Sequence, residues 1–174
     1  MKYILFIVGV VGNMLLSGCA ITQSTKKIDA QKIHQNTFWA HRFNVTNNIA
    51  YGALPRQMID IYRQGNWQGP PKYFVPTKTP KPTLVYIHGG AWHGGTKEAS
   101  LWSVMPYIEA GWHVVNLEYR VGGNTAPNAA DDVLLAFEWL AKHADEYAID
   151  RENIVVSGDS AGGHLALFSG LVNR

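Results

Sequence analysis

Ile154-Val155-Val156-Ser157-Gly158-Asp159-Ser160-Ala161-Gly162-Gly163-His164-Leu165-Ala166-Leu167-Phe168 is the stretch that decides the fold. An apolar run gives way to a glycine-flanked serine, and a helical stretch follows at once, so the local reading is strand, sharp turn, helix with Ser160 at the apex. Glycines on both sides are what such a turn needs, because the serine backbone is held in a strained conformation and a neighbouring β-carbon would strike the adjoining strand or helix. The turn exposes the hydroxyl, and the helix N-terminus beneath it favours developing negative charge.

A second motif strengthens the first. His88-Gly89-Gly90-Ala91-Trp92 comes directly after the apolar strand Thr83-Leu84-Val85-Tyr86-Ile87. Attack of a serine on an ester carbonyl charges the carbonyl oxygen, and backbone N–H groups can stabilise it only where the chain approaches closely, which consecutive glycines permit. Gly89, Gly90 and Ala161 are the expected oxyanion donors. Trp92 is a candidate pocket wall because it adjoins the loop.

Together these motifs resemble the α/β-hydrolase fold, and within it the bacterial esterases related to hormone-sensitive lipase, arylformamidases and feruloyl esterase-like proteins. The likeness covers about residues 50–174. Tyr51-Gly52 with Ile59-Asp60-Ile61-Tyr62 is similar to the early strands of that group, and Pro127-Asn128-Ala129-Ala130-Asp131-Asp132-Val133 to the start of its second helix. The resemblance implies hydrolysis of a carboxylic ester, or sometimes an amide, through an acyl-enzyme on Ser160, with no metal or organic cofactor. Three readings follow: a serine carboxylesterase, an arylformamidase-like amide hydrolase, or a lipid-anchored remnant or binding protein without turnover.

The chain departs from the family in one respect. The family's triad runs Ser, then Asp or Glu, then His, yet no acidic residue follows Ser160 and the only later histidine is His164. Four residues along the same helix, His164 points back over the helix face and away from the serine. His93 adjoins the oxyanion loop but precedes the nucleophile. A serine without a base stays protonated and is a poor nucleophile. The sequence is thus read as the N-terminal part of an α/β-hydrolase, truncated after the nucleophile helix and inactive by itself.

The expected elements are an edge strand at 57–62, strands at 83–87, 113–119 and 153–156, and helices at 97–110, 128–143 and 161–172. Strands alternating with helices predict a mostly parallel sheet covered on both faces. The strand before Ser160 is expected to show an open apolar edge. Residues 65–71 and 76–82 are rich in Gly, Pro and Asn and read as loops. Asp131 and Asp132 read as first-turn acids of their helix.

The N-terminus carries a separate signal. Met1-Lys2, the apolar run 3–12 and Leu16-Ser17-Gly18-Cys19 form a secretory signal that resembles a bacterial lipobox, with Cys19 as the lipid attachment residue. The expected organisation is a signal peptide at 1–19, a polar tether at 20–36 and a partial hydrolase domain at 37–174. The implied location is the cell envelope, on the outer membrane facing the periplasm, anchored by acyl chains that do not span the bilayer. Cys19 is the only cysteine, so no disulfide framework exists. Fifteen basic and 13 acidic residues give a net charge of +2, too balanced for a nucleic-acid partner.

Overall fold

The computed structural model describes residues 43–69 and 73–172. The signal, the tether and Cys19 lie outside the described residues. Among those described, no helix is long and apolar enough to cross a membrane.

In chain order the described residues form seven strands and three α-helices: β1 (Asn44–Ala50), β2 (Met58–Arg63), β3 (Gly65–Gly69), β4 (Tyr73–Pro76), β5 (Lys81–Ile87), α1 (Leu101–Glu109), β6 (His113–Leu117), α2 (Ala126–His143), β7 (Ile149–Gly158) and α3 (Ala161–Val172). The main sheet has the order β1-β2-β6-β5-β7. β5 pairs parallel with both β6 and β7, whereas β2 pairs antiparallel with β1 and β6. The expected edge strand at 57–62 therefore lies inside the sheet, because β1 covers its outer side. β7 closes the other end of the order and pairs with β5 alone among the described residues.

Alternation along β5 shows how the sheet is buried. Val85 and Ile87 join a core with Val133, Ala136 and Phe137 of α2 and Leu165 of α3. Leu84 and Tyr86 join a second core with Val104, Met105 and Ile108 of α1. Successive side chains on a strand face opposite ways, so a continuously apolar β5 needs both covers.

Several elements differ from the sequence expectation. Residues expected as loop form the two-stranded β3–β4 hairpin, with Asn66 opposite Val75. The helix expected at 97–110 is a short 3₁₀ turn at Lys97–Ser100, capped by Thr96, followed by α1. α1 stops where Gly111 takes a left-handed φ of 89°. α2 starts at Ala126 with Pro127 in its first turn, which moves Asp131 and Asp132 beyond that turn. Asp132 is buried and accepts from Arg120 Nη2 at 2.7 Å and Gln57 Nε2 at 2.6 Å. It ties α2 to the β6 end; Asp131 is exposed, so the two acids do not form a pair facing one site.

His113 opens β6 with no exposed surface. Burial, with the charges of Arg63 and Lys81 adding, lowers its pKa to about 4 from 6.5. Below pH 6.5 the unfolded chain takes a proton that the folded chain refuses, so stability is present above that pH and is lost as pH falls toward 4. Linkage limits the loss to about 3 kcal/mol. Urea unfolding at pH 7 and pH 4.5 should show a fall that is smaller in His113→Gln; equal falls in both proteins would refute this role.

Candidate active site

β7 ends at Gly158 and α3 begins at Ala161, which leaves Asp159 and Ser160 to make the turn. Ser160 has φ 50° and is exposed. A left-handed conformation in a residue with a β-carbon is costly and persists only where the surroundings impose it. The imposing contact is the end of β5. A β-carbon on Gly158 would lie 2.4 Å from the Ile87 carbonyl oxygen, and one on Gly162 would lie 2.0 Å from that oxygen and 2.6 Å from the His88 oxygen. The two flanking glycines thus let the turn press against the β5 backbone.

The loop after β5 is equally constrained. Gly90, Ala91 and Trp92 have φ of 122°, 51° and 60°, and the Gly90 carbonyl accepts from the N–H groups of His93 and Gly94, each at 3.0 Å. Three consecutive left-handed residues turn the chain sharply here. The loop also touches the serine turn directly: Gly89 N–H donates to Asp159 Oδ1 at 2.8 Å, and the Tyr86 hydroxyl donates to the same oxygen at 3.2 Å.

That bond bears on the expected donors. Gly89 is already engaged by the carboxylate next to Ser160, so its N–H does not face an open position. Among the described residues, the N–H groups of Gly90, Ala91 and Ala161 have no acceptor. Ala161 is the first residue of α3, where an N–H has no intrahelical partner in any case. Ala91, not among the donors expected from sequence, stands directly after the paired glycines, where the chain is still turning.

The Ser160 carbonyl accepts from the His164 N–H at 3.1 Å at the start of α3, but no hydrogen bond joins its hydroxyl to a described histidine or carboxylate. His164 instead meets Trp92 edge to face, with ring centroids 5.5 Å apart, as its place along the helix predicts. His93 is exposed. Trp92 is half-buried, and its carbonyl accepts from Gly122 N–H and the Thr125 hydroxyl at 2.7 and 2.9 Å. Among the described residues no group of three His, Cys, Asp or Glu side chains converges as metal ligands would.

Polar groups buried beneath the loop hold its base. Glu118, just past β6, accepts from Arg56, from His88 Nε2 at 3.2 Å and from the Lys97 N–H at 2.9 Å. His88 Nδ1 lies 2.7 Å from the Gly89 carbonyl, and its ring stacks on Tyr119 at 4.2 Å. Burial, with the Glu118 and Asp159 charges adding, pushes the Tyr119 hydroxyl up to about 12, so it stays protonated and donates to the His88 carbonyl at 2.8 Å. Deeper still, Lys97 Nζ contacts Asp60 Oδ1 at 3.0 Å and Glu98 Oε1 at 2.6 Å. Burial works against this ammonium, yet Asp60 and Glu98 outweigh it and hold its pKa above the usual range.

The chain is similar to known esterases in sequence and fold. The family model described as BD-FAE matches residues 73–174. Esterase LipC of Mycobacterium tuberculosis is 33% identical over 132 residues, 75% of this chain and 30% of its own length. The probable carboxylic ester hydrolase LipM of the same organism is 35% identical over 127 residues, 71% of this chain and 28% of its own. The chain therefore spans less than a third of the length of these relatives. Among solved structures, a bacterial heroin esterase aligns with a TM-score of 0.58 at 30% identity, covering 76% of this chain and 39% of that one.

Proposed function

The chain belongs to the BD-FAE family, within the α/β-hydrolase esterases, and from that premise we propose that it serves hydrolysis of carboxylic esters through an acyl-enzyme on Ser160. The supporting observation is the meeting of an exposed Ser160 in a forced left-handed turn with three N–H groups that lack acceptors. Ser160 Oγ attacks the carbonyl carbon and its proton leaves to a base; the carbonyl oxygen gains the charge, and Gly90, Ala91 and Ala161 donate to it. Collapse expels the alcohol, which takes up a proton, and water then releases the acid. The substrate is a small-molecule ester, and no step uses a metal or organic cofactor.

Among the described residues no histidine or carboxylate is hydrogen-bonded to the Ser160 hydroxyl to act as that base. For the 174 residues acting alone we expect turnover far below that of a complete triad, at most about 10³- to 10⁴-fold over water from an oxyanion hole and binding. With this reading goes a location in the cell envelope through a lipidated Cys19, supported by the sequence pattern 16–19 alone.

The test is acyl transfer, followed by mass spectrometry after exposure to p-nitrophenyl acetate and, separately, to a formanilide. The expected product is a single acetyl group on the peptide containing Ser160, formed faster from the ester than a formyl group from the anilide. A faster formyl transfer would favour the amide-cleaving alternative, and acylation at other residues only would overturn the assignment.

A further inference from the structure

We propose that Glu118 is the positioning residue of the 88–97 loop, clasping its two ends so that the N–H groups of Gly90 and Ala91 are aimed at the substrate oxygen. This rests on the ester-hydrolase reading for its catalytic consequence, but not for its structural one. One carboxylate oxygen of Glu118 receives His88 Nε2, at the start of the loop, and the other receives the Lys97 N–H, at its end. Arg56 adds a third strand to the clasp: it pairs with Glu118 while its Nη2 donates to the Gly95 carbonyl at 2.7 Å and its Nε to the Tyr119 carbonyl at 2.9 Å.

The chemistry explains why a carboxylate stands there. Glu118 is only 7% exposed, and a buried carboxylate is tolerable only when paired and fully hydrogen-bonded. Here the donors that satisfy it are the loop itself and Arg56, so the electrostatic demand of one side chain closes a ten-residue loop. His88 stands next to Gly89, which precedes the two aimed N–H groups, so fixing its ring fixes the chain that leads into them. A loop holding three left-handed residues in a row has conformational strain to release, so loss of the clasp should let it relax.

Glu118→Gln keeps the size and removes the charge. Amide hydrogen exchange is read at Gly89, His93 and Gly94, whose N–H groups are bonded to Asp159 and Gly90 and not to Glu118. Exchange at these three positions should rise at least about tenfold while amides of β5, β6 and α2 keep their protection. In the acyl-transfer assay, the maximal acylation rate of Ser160 should fall about 10- to 100-fold with the half-saturating ester concentration unchanged, because misplaced oxyanion donors cost the transition state and not the ground state. Arg56→Met, at a side chain that is one-third exposed, should loosen the same three amides by a smaller factor and stands in should Glu118→Gln not fold. Unchanged exchange at all three positions in the folded variants overturns the proposal. Faster exchange with no Ser160 acylation in the parent protein upholds the clasp and overturns the ester-hydrolase reading instead.

Discussion

Ser160→Ala is expected to abolish acyl transfer to the protein, whereas imidazole added to the buffer should accelerate transfer to the parent serine. The first effect follows from removal of the nucleophile; where a nucleophile works with a complete triad, its loss costs on the order of 10⁶-fold in turnover. The second follows from the absence of a base beside Ser160 among the described residues, since an external proton acceptor substitutes for the missing general base. Mass spectrometry of the Ser160 peptide separates this from hydrolysis by imidazole in solution. A useful companion is Ser160→Gly, which also removes the hydroxyl but relieves the left-handed backbone at φ 50°. It should be more stable than Ser160→Ala by about 1 kcal/mol in urea unfolding. An acyl group on Ser160→Ala, or no response to imidazole in the parent, would contradict this account of the site.

The second large effect concerns Gly162→Ala. Alanine is about 1 kcal/mol better than glycine inside a helix, so on propensity alone the change should stabilise α3. The new β-carbon, however, would stand 2.0 Å from the Ile87 carbonyl oxygen and 2.6 Å from the His88 oxygen. Both are backbone atoms and cannot rotate away, so α3 must lift off the end of β5. We expect a net loss of about 4 kcal/mol, close to a thousandfold in the folding equilibrium. Gly123→Ala, where an added β-carbon meets nothing within 4 Å, should change stability by less than about 0.5 kcal/mol. Equal urea midpoints for the two variants would show that the close approach at Gly162 does not exist.

The contrast between these glycines separates what a linear sequence displays from what only the folded chain creates. The serine turn is legible because its requirements are local: a strand, two small residues and a helix in immediate succession. The central strands β5 and β6 are legible because burial on both faces leaves unbroken apolar runs. β1 is not, because Asn44-Val45-Thr46-Asn47-Asn48-Ile49-Ala50 lacks a clean alternation, and its register slips between Thr46 and Ile49 around Asn48 at φ 55°. The β3–β4 hairpin is hidden by a composition of Gly, Pro and Asn that marks turns more often than strands. Within the site, the engagement of the Gly89 N–H has a tertiary cause. Nothing in the motif reveals that the Asp159 carboxylate claims that N–H, because the two residues are about seventy positions apart. Glu118 is invisible for the same reason: a single acid after an apolar strand reads as a strand end, and only the fold brings Arg56, His88 and Lys97 to it.

The strand order also governs how the molecule reaches this state. Neighbouring strands β2 and β6 join Ile59 to Leu117, about sixty residues apart, and β5 and β7 join Ile87 to Gly158, about seventy apart. Each doubling of a closing loop adds only about 0.6 kcal/mol, but pairings this distant slow folding toward the millisecond-to-second range. The 88–97 loop and the serine turn hang on the ends of β5 and β7, so the contacts between them need those two strands paired in register. The junction is expected to form late, and the Trp92 indole, seated against His164 across it, would report its closure by fluorescence in a stopped-flow refolding experiment.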